Sequence, residues 1–258
     1  MSDWNAASYH EVSKPQQAWG LRVLDRIAAS GTEHAVDIGC GTGRLTAELA
    51  GRLPGGRVVG VDRSASMLEA AAAWLRSESP STSLVLADAA ALPFRRAFDI
   101  AFSTATFHWV HDHGALFRSI ILALRPGGRL VAQCGGGPNV ALLHARAERL
   151  MRTRYAPWFD GWRDPWYFAD VDSTRRRLAA AGFEDIDVSL EEAPTTLPDA
   201  RAFAEFITTV CVREHLNKLS RADRQVFVDE LTVAAAADSP AFTIDYWRLN
   251  ISARRPPA

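Results

Sequence analysis

Between about residues 35 and 134 short apolar runs alternate with stretches whose apolar positions recur at helical spacing. That rhythm is the pattern of a parallel sheet wrapped by helices. It predicts strands over 35–38, 58–61, 84–87, 98–103 and 129–134, and helices over 44–52, 65–77 and 109–124. The second helix, with its Ala65-Ser66-Met67-Leu68-Glu69-Ala70 start, is rich in strong helix formers, and Ser64 before it is a good N-cap. Arg125-Pro126-Gly127-Gly128 is expected to stop the third helix and turn the chain into a strand.

Beyond residue 134 the rhythm changes. Residues 138–182 read as helix, aromatic-rich loop and helix, followed by a strand over 183–190 and a mostly helical stretch over 198–237. The alternation of Phe242-Thr243-Ile244-Asp245-Tyr246-Trp247-Arg248-Leu249-Asn250-Ile251 predicts a final strand. The expectation is one domain over 1–258, with a core at about 30–135 and 183–258. Cap elements are expected at about 1–30, 138–182 and 195–240, the first including a helix near 15–29.

Composition narrows the classes. Hydrophobic residues make up 48% and charged ones 23% of the 258 residues, which is ordinary globular usage. The formal net charge of −1, from 29 basic and 30 acidic residues, lacks the excess positive charge of a nucleic-acid binder. The dense cluster Arg175-Arg176-Arg177 reads as a solvated helix face. Three scattered cysteines, Cys40, Cys134 and Cys211, form neither a disulfide framework nor a paired metal motif. Met1-Ser2-Asp3-Trp4-Asn5 lacks the basic start and apolar core of a signal peptide, and no window approaches the ~18 apolar residues of a membrane span. The expectation is a cytoplasmic protein, monomeric or homodimeric, acting away from membranes.

The strongest local signal is the turn Asp37-Ile38-Gly39-Cys40-Gly41-Thr42-Gly43, between an apolar strand and a helix. Glycines there let the backbone approach a ligand at the carboxyl edge of the sheet. A dinucleotide turn wants a small residue at the next position, where Arg44 stands instead, so a nicotinamide oxidoreductase is disfavoured. Asp62 ends the second predicted strand, where a carboxylate can accept both ribose hydroxyls of an adenosine. Asp88 ends the third, where it can accept from an adenine amino group. A role for Asp37 in satisfying backbone donors of the turn stays open.

On these residues the chain resembles the class I S-adenosylmethionine-dependent methyltransferases, closely over about 34–134. Val36-Asp37-Ile38-Gly39-Cys40-Gly41-Thr42-Gly43 is similar to the family's first motif, Asp62 to its ribose-binding acid and Asp88-Ala89 to its adenine-contacting pair. The resemblance implies an α/β, Rossmann-like seven-stranded sheet whose last strand is antiparallel, formed near 242–252, with helices on both faces and a helical cap. It implies S-adenosyl-L-methionine as cofactor, S-adenosyl-L-homocysteine as product and a small-molecule acceptor. The implied cofactor set is Tyr9, Asp37, Gly39, Cys40, Gly41, Gly43, Asp62, Arg63, Met67, Asp88, Ala89 and Ser103. Within the family, the segment from Trp4 to Tyr9 and the stretch Thr106-Phe107-His108-Trp109-Val110 look like trans-aconitate, malonyl-carrier-protein and juvenile-hormone-acid methyltransferases. That favours O-methylation of a carboxylate or hydroxyl. Methylation of carbon or nitrogen, and binding of the cofactor without turnover, stay open.

Methyl transfer from a sulfonium is an in-line displacement, so alignment and exclusion of water carry it. A carboxylate acceptor is already ionised at neutral pH, whereas a phenol or alcohol benefits from a base such as histidine. His108 is the candidate catalytic residue, to orient or deprotonate the acceptor, at the rim of a floor formed by residues 103–107. His111 and His113 are read as the start of a solvated helix, since the three histidines share no helix face suited to a metal. Tyr155, Trp158, Phe159, Trp162, Trp166, Tyr167 and Phe168, interrupted by prolines and a glycine, predict one shaped loop that walls a pocket or glues the cap to the sheet.

Overall fold

The structure is a computed structural model that describes residues 14–79 and 81–258, with side chains from Gln17 onward. Tyr9 and Trp4 lie outside the described residues. The chain separates into two compact units, one of residues up to Gly137 with Trp166–Glu191 and Arg248–Ala258, the other of Pro138–Pro165 and Glu192–Trp247.

The first unit is a seven-stranded sheet in the order β3-β2-β1-β4-β5-β9-β6. Its strands are β1 (His34–Ile38), β2 (Arg57–Asp62), β3 (Ser83–Leu86), β4 (Phe98–Thr104), β5 (Leu124–Gly135), β6 (Glu184–Glu192) and β9 (Trp247–Arg254). β1 lies between β2 and β4, parallel to both, and β9 runs antiparallel to β5. The chain winds outward from β1 to β3, then returns to β4 on the other side of β1. That reversal opens a crevice at the carboxyl ends of β1 and β4, where ligands of open α/β sheets bind.

Both faces are covered, which is why the central strands read as nearly continuous apolar runs. On one face Leu49 of α2 (Arg44–Arg52) packs with Ile100, Phe102 and Val131 of the sheet, joined by Val23 and Leu24 of α1 (Lys14–Leu24). α1 thus packs its apolar side, Val23 and Leu24, on the same strands as α2. On the other face Leu116, Phe117 and Ile120 of α4 (His113–Ala123) and Leu178 of α6 (Val171–Ala181) pack on Val36, Ala101 and Leu249. α3 (Ala65–Glu78) starts as expected at Ser64, whose Oγ accepts from the Met67 amide at 3.3 Å.

Three local expectations are corrected. α4 begins at His113, not near Trp109, because Asp112 Oδ1 caps it by accepting from the Ala115 amide at 2.8 Å. Before it, Phe107–Trp109 forms a 3₁₀ turn and Val110 is extended. His113 is buried, 2% exposed, rather than solvated, with Nε2 3.0 Å from the Phe107 carbonyl. The alternating stretch at 242–251 is two strands. Thr243–Ile244 (β8) pairs with Thr195–Thr196 (β7) in a small sheet, and a tight turn, Tyr246 N to Ile244 O at 2.9 Å, separates it from β9.

The second unit holds β7, β8 and the helices α5 (Ala141–Arg152), α7 (Ala200–Phe206), α8 (Arg213–Lys218) and α9 (Arg221–Ala236). Phe227, Leu231 and Ala235 form the buried stripe of α9 at helical spacing. Asp238 accepts both Arg146 guanidinium nitrogens, at 2.8 and 2.5 Å. The predicted aromatic loop divides here. Tyr155, Phe159 and Trp162 join Phe227 and His215 in the second unit. Trp166, Tyr167 and Phe168 belong to the first, against Trp109, His113 and His108.

Candidate active site

The crevice at the β1/β4 reversal is built by a tight turn. Gly39 leaves β1 at φ +77°, its amide donating to the Val61 carbonyl at 2.7 Å. A Cβ on it would lie 2.0 Å from Thr106 Oγ1, so the loops after β1 and β4 touch only because this residue has no side chain. Gly41 has φ +52° and nothing within 4 Å of where its Cβ would stand. Its amide donates to Asp62 Oδ2 at 2.9 Å, while the Ser64 amide donates to Oδ1 at 2.9 Å. Two backbone donors thus fix the carboxylate at the end of β2, and each oxygen keeps a lone pair for a further donor.

The cavity encloses about 760 Å³ counted to its open mouth, within the range of small-molecule sites. Gly39, Gly41, Asp62, Arg63, Met67, Asp88 and Ala89, all expected in the cofactor set, line it. The side chain of Asp88 spends Oδ1 on the Ala90 amide at 2.8 Å, leaving Oδ2 as an acceptor. Four expected residues support the cavity without lining it. Asp37 is 2% exposed and accepts the Thr46 hydroxyl at 2.7 Å. Burial pushes its carboxyl up to about 7 against the lowering by that hydroxyl, and the charge of Asp62 adds to the rise. Cys40 packs toward Gly60, and burial holds its thiol well above the ordinary thiol range. Gly43 lies against Ala71 and Leu75 at the start of α2. Ser103 is buried and donates to the Ile38 carbonyl at 2.7 Å, tying β4 to β1.

Of the residues expected as a floor over 103–107, Thr104, Ala105 and Thr106 line the cavity, while Ser103 and Phe107 are buried beside it. Ala105 carries a left-handed backbone, φ +54°, uncommon for a residue with a Cβ. Trp109 and Val110 also line the cavity and were absent from the expected set, because the apolar pattern there reads as helix. Their signal was their place in the short segment between the end of β4 and the Asp112 cap. His108 stands one residue before Trp109. Its Nδ1 accepts from the Gly135 amide at 3.3 Å, and Trp109 and Phe168 flank its ring. A backbone amide can only donate, so Nδ1 carries the lone pair and Nε2 the hydrogen. Burial first, then the charges of Arg248 and His113, lower the imidazole to about 3. His108 is therefore neutral, with its Nδ1 lone pair committed to the Gly135 amide.

The cavity fits an adenosyl group: apolar walls at Val61, Met67 and Ala87, a carboxylate at each of two strand ends, and an open cradle over Gly41 that a Cβ would invade. The chain agrees with this geometry in its relatives. A family model described as a methyltransferase domain matches residues 35–128. The chain belongs to the class I S-adenosylmethionine-dependent methyltransferases, and S-adenosyl-L-methionine is its methyl donor. It is 32% identical, over 91% of its length and 89% of the relative's, to a trans-aconitate 2-methyltransferase of Methylobacterium radiotolerans. It is 31% identical to another from Paracidovorax citrulli, over 88% and 87% of the two chains. Among solved structures, Haemonchus contortus phosphoethanolamine N-methyltransferase 2 in complex with S-adenosyl-L-methionine shares the fold. The TM-score is 0.65 at 20% identity, over 97% of this chain and 56% of that one. Among the described residues no helix is long and apolar enough to cross a membrane.

Proposed function

We propose that the enzyme methylates a carboxylate oxygen of a small organic acid. The observation that carries this reading is His108: the histidine beside the cavity is neutral, offers Nε2–H and has its lone pair bound to the Gly135 amide. An ionised carboxylate needs donors and no base, whereas a phenol or alcohol needs a base. The names of the trans-aconitate relatives support the same class.

In this reading Asp62 holds the ribose hydroxyls, Asp88 and Ala89 the adenine edge, and Met67 its face. Arg63 borders the ribose, and the glycine turn with Asp37 behind it holds the methionine end. When bound, the sulfonium supplies an electrophilic methyl carbon. An ionised carboxylate as acceptor would have no proton to lose, so the chain's residues would need to supply donors and no base. The protein's part is to align the acceptor through His108 and to exclude water with Trp109 and Val110. The same reading includes a cytoplasmic enzyme, supported by three buried free cysteines.

Methyl-labelled S-adenosylmethionine, offered with small carboxylic acids, phenols and amines, tests it. Label is expected in the acids, and label in phenols or amines instead would overturn the reading.

A further inference from the structure

An imidazole occupies a core position of the sheet unit. His113 opens α4, is 2% exposed, and its ring meets those of Phe117 and Tyr167 edge-to-face, at 5.7 and 5.0 Å. Its Nε2 stands 3.0 Å from the Phe107 carbonyl, which can only accept, so Nε2 carries the hydrogen and Nδ1 the lone pair. Nδ1 is buried and has no hydrogen-bond partner among the described residues. Burial lowers the imidazole and keeps it neutral. An apolar side chain there would avoid the cost of a buried, unsatisfied acceptor, so the bond through Nε2 is what the imidazole adds. Phe107 begins the 3₁₀ turn that carries Trp109 and Val110 into the cavity wall. Tyr167 grips the next residue of that turn, its amide donating to the His108 carbonyl at 2.8 Å. Its phenol oxygen is fixed in turn by the Arg177 guanidinium, which donates to it at 2.6 Å. Further along α4, Ser119 Oγ accepts from the Leu92 amide at 2.7 Å, just past Asp88 and Ala89, which line the same cavity.

We propose that His113 is a positioning residue for the cofactor cavity: by donating from Nε2 to the Phe107 carbonyl it holds Trp109 and Val110 in the wall against S-adenosylmethionine. His113 does not line the cavity and acts through the backbone of the turn. The Phe107 carbonyl also accepts from the Val110 amide at 2.9 Å. That bond is internal to the turn, whereas the His113 bond ties the turn to α4. Leu116, Phe117 and Ile120 anchor α4 in the core, and Ser119 ties it to the segment after Asp88 and Ala89. One helix thus sets the spacing of two lining segments that are distant in sequence. A wall held in place before binding spares the cofactor the ordering of that segment, which raises affinity. This role requires S-adenosylmethionine as the donor and is independent of the acceptor's identity.

The test measures calorimetric affinity for S-adenosylhomocysteine and melting temperature in the wild type, His113→Leu, His113→Gln and Val188→Ala. Leucine keeps the apolar packing and loses the donor, whereas glutamine places an amide N–H at a reach similar to that of Nε2. Val188, buried in the same apolar cluster on the edge strand β6 and outside the cavity lining, reports what loss of core packing alone does. His113→Leu is expected to weaken the affinity about threefold to tenfold, the loss of one positioning hydrogen bond. His113→Gln should restore most of it. Val188→Ala is expected to lower the melting temperature and to leave the affinity of the folded protein near that of the wild type. Unchanged affinity in folded His113→Leu overturns the proposal. So does a loss in His113→Gln, or in Val188→Ala, as large as the loss in His113→Leu. Should His113→Leu not fold, His113→Asn, too short to reach the carbonyl, is measured in its place against the same outcomes.

Discussion

At the scale of single residues, Asp62 and Gly41 depend on each other. The Gly41 amide fixes the carboxylate, and the carboxylate in turn closes the glycine turn under the open cradle. Asp62→Ala removes acceptors for two ribose hydroxyls and orphans the Gly41 and Ser64 amides. Affinity for S-adenosylhomocysteine, read by calorimetry, is expected to fall at least about tenfold, since a hydrogen bond to a charged group contributes ~1.5–3 kcal/mol. Gly41→Val should abolish binding, because it forces a β-branched residue to φ +52° and points its side chain into the cavity. Near-wild-type affinity in both variants would remove the site. These residues were legible because their chemistry is local: glycines after an apolar run, acids at strand ends. Asp37, Cys40, Gly43 and Ser103 were legible as neighbours of the site but not as supports, since their orientation depends on Thr46, Gly60, Ala71 and Ile38, residues near or far in the chain that only the fold brings together.

At the scale of elements, short-range signals set most boundaries, and the failures have one cause. The apolar residues 107–110 fit a helical stripe, but the Asp112 cap starts the helix later and leaves Trp109 and Val110 to the cavity. Asp112→Ala should cost ~1 kcal/mol and lower the melting temperature by about 2–4 °C. No change in melting would mean that the cap does not define the start of α4. The alternation at 242–251 predicts one strand where the structure has two separated by a turn, because periodicity carries no information about which sheet a strand joins. The tight turn at Asp245 assigns Thr243–Ile244 and Trp247–Arg254 to different partners. The aromatic run at 155–168 divides for the same reason, its halves packing on residues distant in sequence such as Phe227 and Trp109.

At the scale of the whole molecule, buried titratable groups set the response to acid. Burial lowers His108 and His215 to about 3 and also lowers His113 and His144. The stability they carry is complete above about 6.5, the ordinary histidine value. It is lost as pH falls toward 3, because the unfolded chain then binds protons that the folded chain refuses. Asp37, raised to about 7, and Asp62, raised as well, act in the opposite sense, gaining stability as pH falls toward the ordinary carboxylate value. Four histidines outweigh two carboxylates, so stability should drop by about 1 kcal/mol or more per pH unit below 6.5. Melting temperatures between pH 7.5 and 4.5 measure this. A flat or rising curve toward acid would contradict the buried, neutral state of His108.

That neutral state is also the ground for assigning a carboxylate acceptor, and the chemical nature of the product tests it most directly. The labelled methyl group is followed from S-adenosylmethionine into trans-aconitate and the product is treated with mild alkali. A methyl ester is expected, releasing its label as methanol. Label that stays on the product through alkali would place the methyl group on carbon or on an ether or amine, and would contradict the account.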